Sequence, residues 1–395
     1  MTKDETVGRD EVLAILERLV GFDTESSKSN LSLIDYVEAH LAGLGIVSTR
    51  MPNAKGDKAA LFATIGPTDR GGICLSGHTD VVPVAGQAWT TDPFRLRVAD
   101  GKAYGRGTVD MKGFCAIALA HARHFRDTPL SMPIHLVFSY DEETTCFGVK
   151  EPIARMGHGL PQPHAVIVGE PTSMRPADAH KSVVIFNTHV HGTEAHSSKP
   201  LLGASAIKGA VMLMGELDRI GEEMIARGDP TGRFDPPYTT VHIGQVHGGT
   251  ARNILAKLCS FYWEFRGVPG LDPEEIPARL ERYGREVVVP RLTATGKAFS
   301  IETICEVSVP GLAPDPGSAA ETLALRLAGQ NRPITVPYGS EAGHFQKAGL
   351  PTIVCGPGSI DQAHQPDEFI TLEEIDKGSA FMRALAQWCT GGGRG

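Results

Sequence analysis

The residues best suited to chemistry in this 395-residue chain are a scattered set of histidines and acids. "LSGHTDVVP" sets His78 two positions before Asp80, "YGRGTVDMKG" carries Asp110, "YDEETTCFG" the pair Glu142 and Glu143, "VGEPT" Glu170, and "GPGSIDQAHQPDE" His364. Two histidines with three carboxylates make a five-ligand set, and imidazole with carboxylate suits Zn(II), Co(II) or Mn(II). A carboxylate has two oxygens and can bridge two ions ~3.5–4 Å apart. In an extended segment residues i and i+2 face the same side, so Asp80 is expected to accept from the ring N–H of His78 while the other ring nitrogen meets a metal. Neighbours on a strand point oppositely, so one of Glu142 and Glu143 is expected to ligate and the other to face substrate as general base.

Taken singly, each residue also has a plainer role. His78 could be a polar strand end, the Glu pair a solvated turn, Asp110 a cap for the helix starting near Met111, Glu170 a strand-end acid before Pro171, and His364 a loop histidine. Their surroundings favour chemistry. Apolar strands "IHLVFSY" (134–140) and "HAVIVGE" (164–170) run into acids, which is how an open α/β sheet delivers side chains to one crevice. Helical periodicity marks "DEVLAILERLV", "GFCAIALAHARHF" and "TLEEIDKGSAFMRALAQWC", and Asp100-Gly101 reads as a hairpin turn. The middle of the chain reads β-α-β-β-α, a layer of helices on one antiparallel sheet inserted into a larger α/β domain. The expected division is 1–181, an insert over 182–290, and 291–395. The glycines of "GRGTVDMKGF" do not make a phosphate loop, since no GxGxxG follows a strand and no GKS or GKT occurs.

Composition narrows the partners. With 38 basic against 46 acidic residues the net charge is -8, and no basic stretch could track a phosphate backbone, so nucleic acid is not an expected partner. The start "MTKDETVGRDEVLAILERLVGF" lacks the pattern of a signal peptide, no apolar run reaches the ~20 residues of a membrane span, and "GGGRG" at the other end reads as disordered. Seven cysteines without a CxxC pair read as reduced thiols of a cytoplasmic protein.

The ordered set "SGHTDVVP", "YGRGTVDMKGF", "DEET", "VGEPT", "HGTEAHSSKP", "GGTARN" and "GPGSIDQAHQPDE" resembles the co-catalytic di-zinc metallopeptidases and deacylases, a family of aminoacylases, glutamate-type carboxypeptidases, succinyl-diaminopimelate desuccinylases and acetylornithine deacetylases. The resemblance spans nearly the whole chain. "YGSEAGHF" and "GPGSIDQAHQPDEFI" look most like the branch that removes acetyl from N2-acetyl-L-ornithine in arginine biosynthesis. "TARN" is a form seen in desuccinylases and carboxypeptidases, which keeps a succinyl-diaminopimelate desuccinylase-like deacylase, or a dipeptidase or carboxypeptidase using the same metal centre, as the alternative. The resemblance implies a zinc-peptidase-like α/β catalytic domain with an inserted α+β lid, or dimerisation, domain, hence a homodimer. It implies two divalent ions, zinc or cobalt, one held by His78, Asp110 and Glu170 and the other by Glu143, Asp110 and His364, with Asp110 bridging. Glu142 matches the general base, Asp80 the partner of His78, and His196 a lid histidine reaching the scissile carbonyl. Arg252 and Asn253 match groups that grip a substrate carboxylate. A non-catalytic binding protein on this fold would be expected to have lost a ligand or the base, and this chain keeps all of them.

Overall fold

Continuous apolar runs, rather than alternating ones, build the central strands. The computed structural model describes residues 7–391, so the polar first six residues and all but Gly391 of the "GGGRG" end lie outside the described residues. Two units divide the chain: Met1–Ala179 with Pro314–Val336 and Ser340–Gly395, and His180–Ala313 with Pro337–Gly339.

The first unit holds an eight-stranded sheet in the order Ser48–Pro52, Ala59–Ile65, Ile134–Ser139, Ile73–His78, Ala165–Pro171, Thr352–Gly356, Ala177–His180, Ile334–Val336. The four consecutive strands from Ile134–Ser139 to Thr352–Gly356 are parallel. Every residue in them is buried, as expected of strands covered on both faces. Helix Lys112–Asp127 packs on Ile73–His78 and lies against helices Arg9–Val20 and Leu372–Thr390. Its close approach dictates two residues of the sheet. A Cβ at Gly77 would stand 2.9 Å from Cys115 Sγ, and one at Gly169 would stand 2.2 Å from the Phe114 ring. Glycine therefore precedes both His78 and Glu170. A smaller sheet joins Arg97–Ala99, Lys102–Tyr104 and Phe369–Thr371. Its hairpin turns at Asp100-Gly101, both with positive φ (52° and 72°), the conformation that favours Asp-Gly in a two-residue loop.

The second unit is a four-stranded antiparallel sheet, Thr240–Gly248, Leu258–Arg266, Val183–His191, Ser300–Val309, with helices Ala206–Arg227 and Glu275–Tyr283 packed together, the former against the sheet. Strand Leu258–Arg266 alternates regularly, and its Trp263 stacks on Phe186 at 4.3 Å in the core. This unit runs to Ala313, past the boundary at 290 read from the sequence. The extra element is Ser300–Val309, which pairs with Val183–His191. A register shift between Cys305 and Val307 breaks its alternation, and most of its residues are exposed, so its pattern does not read as a strand.

All seven cysteines are free, six buried and Cys305 exposed. Among the described residues no helix is long and apolar enough to cross a membrane.

Candidate metal centre

Four neighbouring parallel strands set their carboxyl ends side by side, and the ionisable residues singled out above stand at those ends. His78 closes its strand, Glu142 and Glu143 follow Ser139, Glu170 sits near the end of the third strand, and His364 follows the fourth. Asp110 enters from the turn before helix Lys112–Asp127, whose N-cap position is Met111, and its carboxylate meets His78 and His364.

Two groups of ligand atoms result, His78 with Asp110 and Glu170, and Asp110 with Glu143 and His364, the atoms within each lying no more than 4.8 Å apart. Asp110 divides its oxygens between them: Oδ1 is 3.0 Å from His78 Nε2, and Oδ2 is 3.2 Å from His364 Nε2. Glu170 Oε1 lies 3.7 Å from His78 Nε2, and Glu143 Oε2 lies 3.0 Å from His364 Nε2.

The expected Asp80–His78 contact is corrected. His78 Nδ1–H donates to the main-chain carbonyl of Asp80 at 2.9 Å, and the nearest Asp80 carboxylate oxygen is 3.6 Å away. The strand ends at His78, so the same-side rule for extended chain stops there. The carbonyl still fixes the tautomer, because it can only accept, and leaves Nε2 to face the carboxylates. The Asp80 carboxylate accepts instead from Ser26 Oγ (2.6 Å) and from the backbone N–H groups of Glu142 (3.1 Å) and Glu143 (3.3 Å). It thereby orients the Glu pair. That pair lies in a turn and not on a strand, so the turn, rather than strand alternation, separates the two side chains. Glu143 goes to His364, while Glu142 Oε1 accepts from the Cys146 thiol at 3.2 Å.

Sequence reasoning missed two supports. Cys146 has a positive φ of 52°, which aims its thiol back at Glu142. Glu341, fully buried, accepts from Ser76 Oγ (2.5 Å) and Ser139 Oγ (2.6 Å), so it ties the His78 strand to the strand leading into the Glu pair. The two serines are buried hydroxyls far apart in sequence, and only the paired strands bring them together.

Charge crowding marks this as a cation site. Glu143 Oε1 and Glu170 Oε1 are buried with no hydrogen-bond partner, an arrangement costly for a carboxylate unless a cation meets it. Burial pushes Glu142 up to about 8 and Glu143 up to about 7, and it holds Glu170 well above its ordinary range, with Asp110 adding to each rise. Burial alone would lower His78, but the Asp110 hydrogen bond and the surrounding carboxylates outweigh it and hold the imidazole well above 6.5. Hydrogen bonds to Asp110 and Glu143 raise His364 to about 10.

The direction of a pH effect follows. A group whose pKa rises on folding favours the fold while protonated, and that contribution is lost as pH climbs from its unfolded to its folded value. Glu142, Glu143, Glu170, His78 and His364 all act in this sense, whereas Asp110, held low, acts only in acid. A divalent cation takes the place of the protons. The rise in thermal midpoint produced by saturating Co(II) in chelator-treated protein is therefore expected to be larger at pH 8 than at pH 5.5. An equal or smaller rise at pH 8 would contradict this assignment of the charges.

His196, Arg252 and Asn253 lie in the second unit, close to one another. His196 bridges Ile254 in an antiparallel pair, and Ser197 N–H donates to the Asn253 carbonyl at 2.9 Å. All three side chains are exposed. His196 Nδ1 accepts from Ser198 N–H (3.1 Å) and bonds Ser198 Oγ (2.8 Å), so the neutral ring carries its proton on Nε2.

A family model described as peptidase family M20/M25/M40 matches residues 74–388. Acetylornithine deacetylase of Myxococcus xanthus is 35% identical over 384 residues, 96% of this chain and 97% of that protein. Among solved structures, aminopeptidase PepT of Bacillus cereus superposes with a TM-score of 0.74 at 20% identity, over 97% of this chain and 99% of that one. The Bacillus subtilis YXEP protein, described as a dinuclear metal-binding peptidase of the M20 family, gives a TM-score of 0.66 at 16% identity over 97% and 98%. The chain belongs to the metallopeptidase family M20/M25/M40 and is a metal-dependent hydrolase.

Proposed function

We propose that the chain hydrolyses the amide of an N-acyl amino acid, N2-acetyl-L-ornithine above others, giving acetate and L-ornithine for arginine biosynthesis. The observation carrying the substrate is full-length similarity to the Myxococcus xanthus acetylornithine deacetylase. His78, Asp110 and Glu170 would hold one divalent ion and Asp110, Glu143 and His364 the second, with zinc or cobalt matching this mix of imidazole and carboxylate. When bound, such ions polarise a carbonyl and make water acidic enough to serve as a nucleophile at neutral pH. The chain's own groups move the protons. Glu142 takes one from the attacking water and returns it to the departing α-amine, while Asp80 holds the backbone of that residue in place. His196 Nε2–H donates to the negative charge forming on the acyl oxygen, and Arg252 with Asn253 holds the free α-carboxylate. The seven unpaired cysteines fit a reducing cytoplasm.

The test is release of free amine from a panel of N-acetyl and N-succinyl amino acids and dipeptides by Co(II)- or Zn(II)-loaded enzyme, in which N2-acetyl-L-ornithine should lead. A faster dipeptide or succinyl-diaminopimelate would shift the reading to the alternative branch. In the same panel Arg252→Ala should weaken substrates with a free α-carboxylate and spare their amides.

We further propose a homodimer formed through the second unit. Strand Thr240–Gly248 is a sheet edge exposed along most of its length, where a second copy can pair. If His196 serves the other chain's centre, His196→Ala should lower kcat by about 10² to 10³ with metal content unchanged. Mixing it with Glu142→Ala chains should then restore activity. Hybrids verified by mass spectrometry yet inactive would reject action across the dimer.

A further inference from the structure

We infer that Glu368, with its buried partner Arg106, is a positioning residue that fixes Asp110 and His364 at the separation the second cation needs. The inference rests on the two-ion reading above and adds the element that sets its spacing.

His364 is poorly placed to hold itself. It has a positive φ of 63°, unusual for a side chain with a Cβ, and its imidazole is half exposed and bonded to Asp110 and Glu143. Its position therefore depends on the main chain around it. Four residues on, Glu368 Oε1 accepts from the backbone N–H of Val109 (2.9 Å) and of Asp110 itself (3.2 Å). Its other oxygen takes Arg106 Nη1 at 2.7 Å, and both side chains of that ion pair are almost wholly buried, at 1% and 0% exposure. One carboxylate thus grips the segment that carries Asp110 while belonging to the segment that carries His364.

The surrounding contacts extend the grip. Strand Phe369–Thr371 pairs with Lys102–Tyr104, and the pairing runs on as Gly105 N–H donates to the Glu368 carbonyl at 2.9 Å. Arg106 Nη2 bonds Gln87 Oε1, whose own Nε2 donates to the His364 carbonyl at 2.8 Å. The guanidinium lies 5.0 Å from the centre of the Trp89 ring. Arg106 therefore reaches the His364 main chain through Gln87 and the Asp110 main chain through Glu368. A carboxylate is needed in this place because one atom accepts two N–H groups and the other a guanidinium, which an amide cannot reproduce without setting a donor against a donor.

The two cation positions do not depend on this frame equally. His78 and Glu170 stand on central strands of the sheet, outside its reach. Asp110 and His364 both stand on it. Two of the three ligands of the second ion stand on the frame and only Asp110 of the first ion's, so disturbing Glu368 should loosen the second ion far more than the first.

The experiment is titration of chelator-treated protein with Co(II), reading the visible absorption of each ion and the bound stoichiometry, with thermal midpoints measured alongside. Glu368→Ala should weaken the second Co(II) by about 10- to 100-fold while the first stays within a few-fold of the parent protein, and Glu368→Gln, which keeps one acceptor oxygen, should fall between them. Arg106→Lys keeps the buried charge but loses the fork to Gln87, and should weaken the second ion several-fold, which covers the case in which Glu368→Ala does not fold. Both ions bound at parental affinity in Glu368→Gln and Arg106→Lys, or both weakened equally, would overturn the inference. A parent protein that takes up fewer than two Co(II), or a His364→Ala protein that still takes up two, would overturn the two-ion reading itself, and the inference with it.

Discussion

Asp110→Ala should empty both cation positions and abolish hydrolysis. The expectation follows from how the carboxylate is shared, one oxygen 3.0 Å from His78 Nε2 and the other 3.2 Å from His364 Nε2. Removing any other ligand leaves one group of three intact, whereas removing this one leaves two residues at each position. Metal content after dialysis against Co(II) should fall well below two per chain, and activity below detection, a larger loss than for His364→Ala. The fold should survive, because the partners of the Asp110 carboxylate are the site's own histidines. Elemental analysis finding two ions in folded Asp110→Ala would show that the bridge lies elsewhere.

The centre was legible in the sequence to the degree that its parts are local. His78, Glu170 and the Glu pair each end an apolar run, and the sheet needs no further information to bring those ends together. The glycines before His78 and Glu170 carry a signal of their own: both are required by the approach of helix Lys112–Asp127, and each adjoins a site residue. What could not be read was set by long-range contacts. The rule for extended chain points the Asp80 carboxylate at His78, but the strand ends at His78, two residues short of Asp80, and the carboxylate accepts from Ser26 and the Glu142–Glu143 backbone. Glu341 and Glu368 sit in "YGSEAGHF" and "GPGSIDQAHQPDEFI", yet their roles depend on hydroxyls and N–H groups hundreds of residues away. Ser300–Val309 is illegible for the opposite reason, since its local pattern is broken by a bulge and only pairing with Val183–His191 makes it a strand.

Glu142→Gln should keep both cations and lose a factor of about 10² to 10⁴ in kcat, equivalent to about 3 to 5 kcal/mol of barrier. Glu142 belongs to neither ligand group, although it stands beside Glu143 in one turn. Its Oε1 is met by the Cys146 thiol, a weak donor that orients the carboxylate without neutralising it. Burial pushes Glu142 up to about 8 in the metal-free chain, with His78 opposing the rise and Glu143 and Asp110 adding to it, so cations that offset the neighbouring acids are what free the carboxylate to take a proton at neutral pH. Glutamine preserves the shape and the backbone bond to Asp80 but can neither take nor return that proton. Glu143→Gln is the necessary contrast. It alters a ligand that lies 3.0 Å from His364, so it should shed the second cation, and its activity should recover in part at high Co(II). Activity of Glu142→Gln should not recover at any metal concentration. If metal analysis instead found Glu142→Gln depleted and Glu143→Gln fully loaded, the two acids would have to exchange roles, with Glu143 as the base.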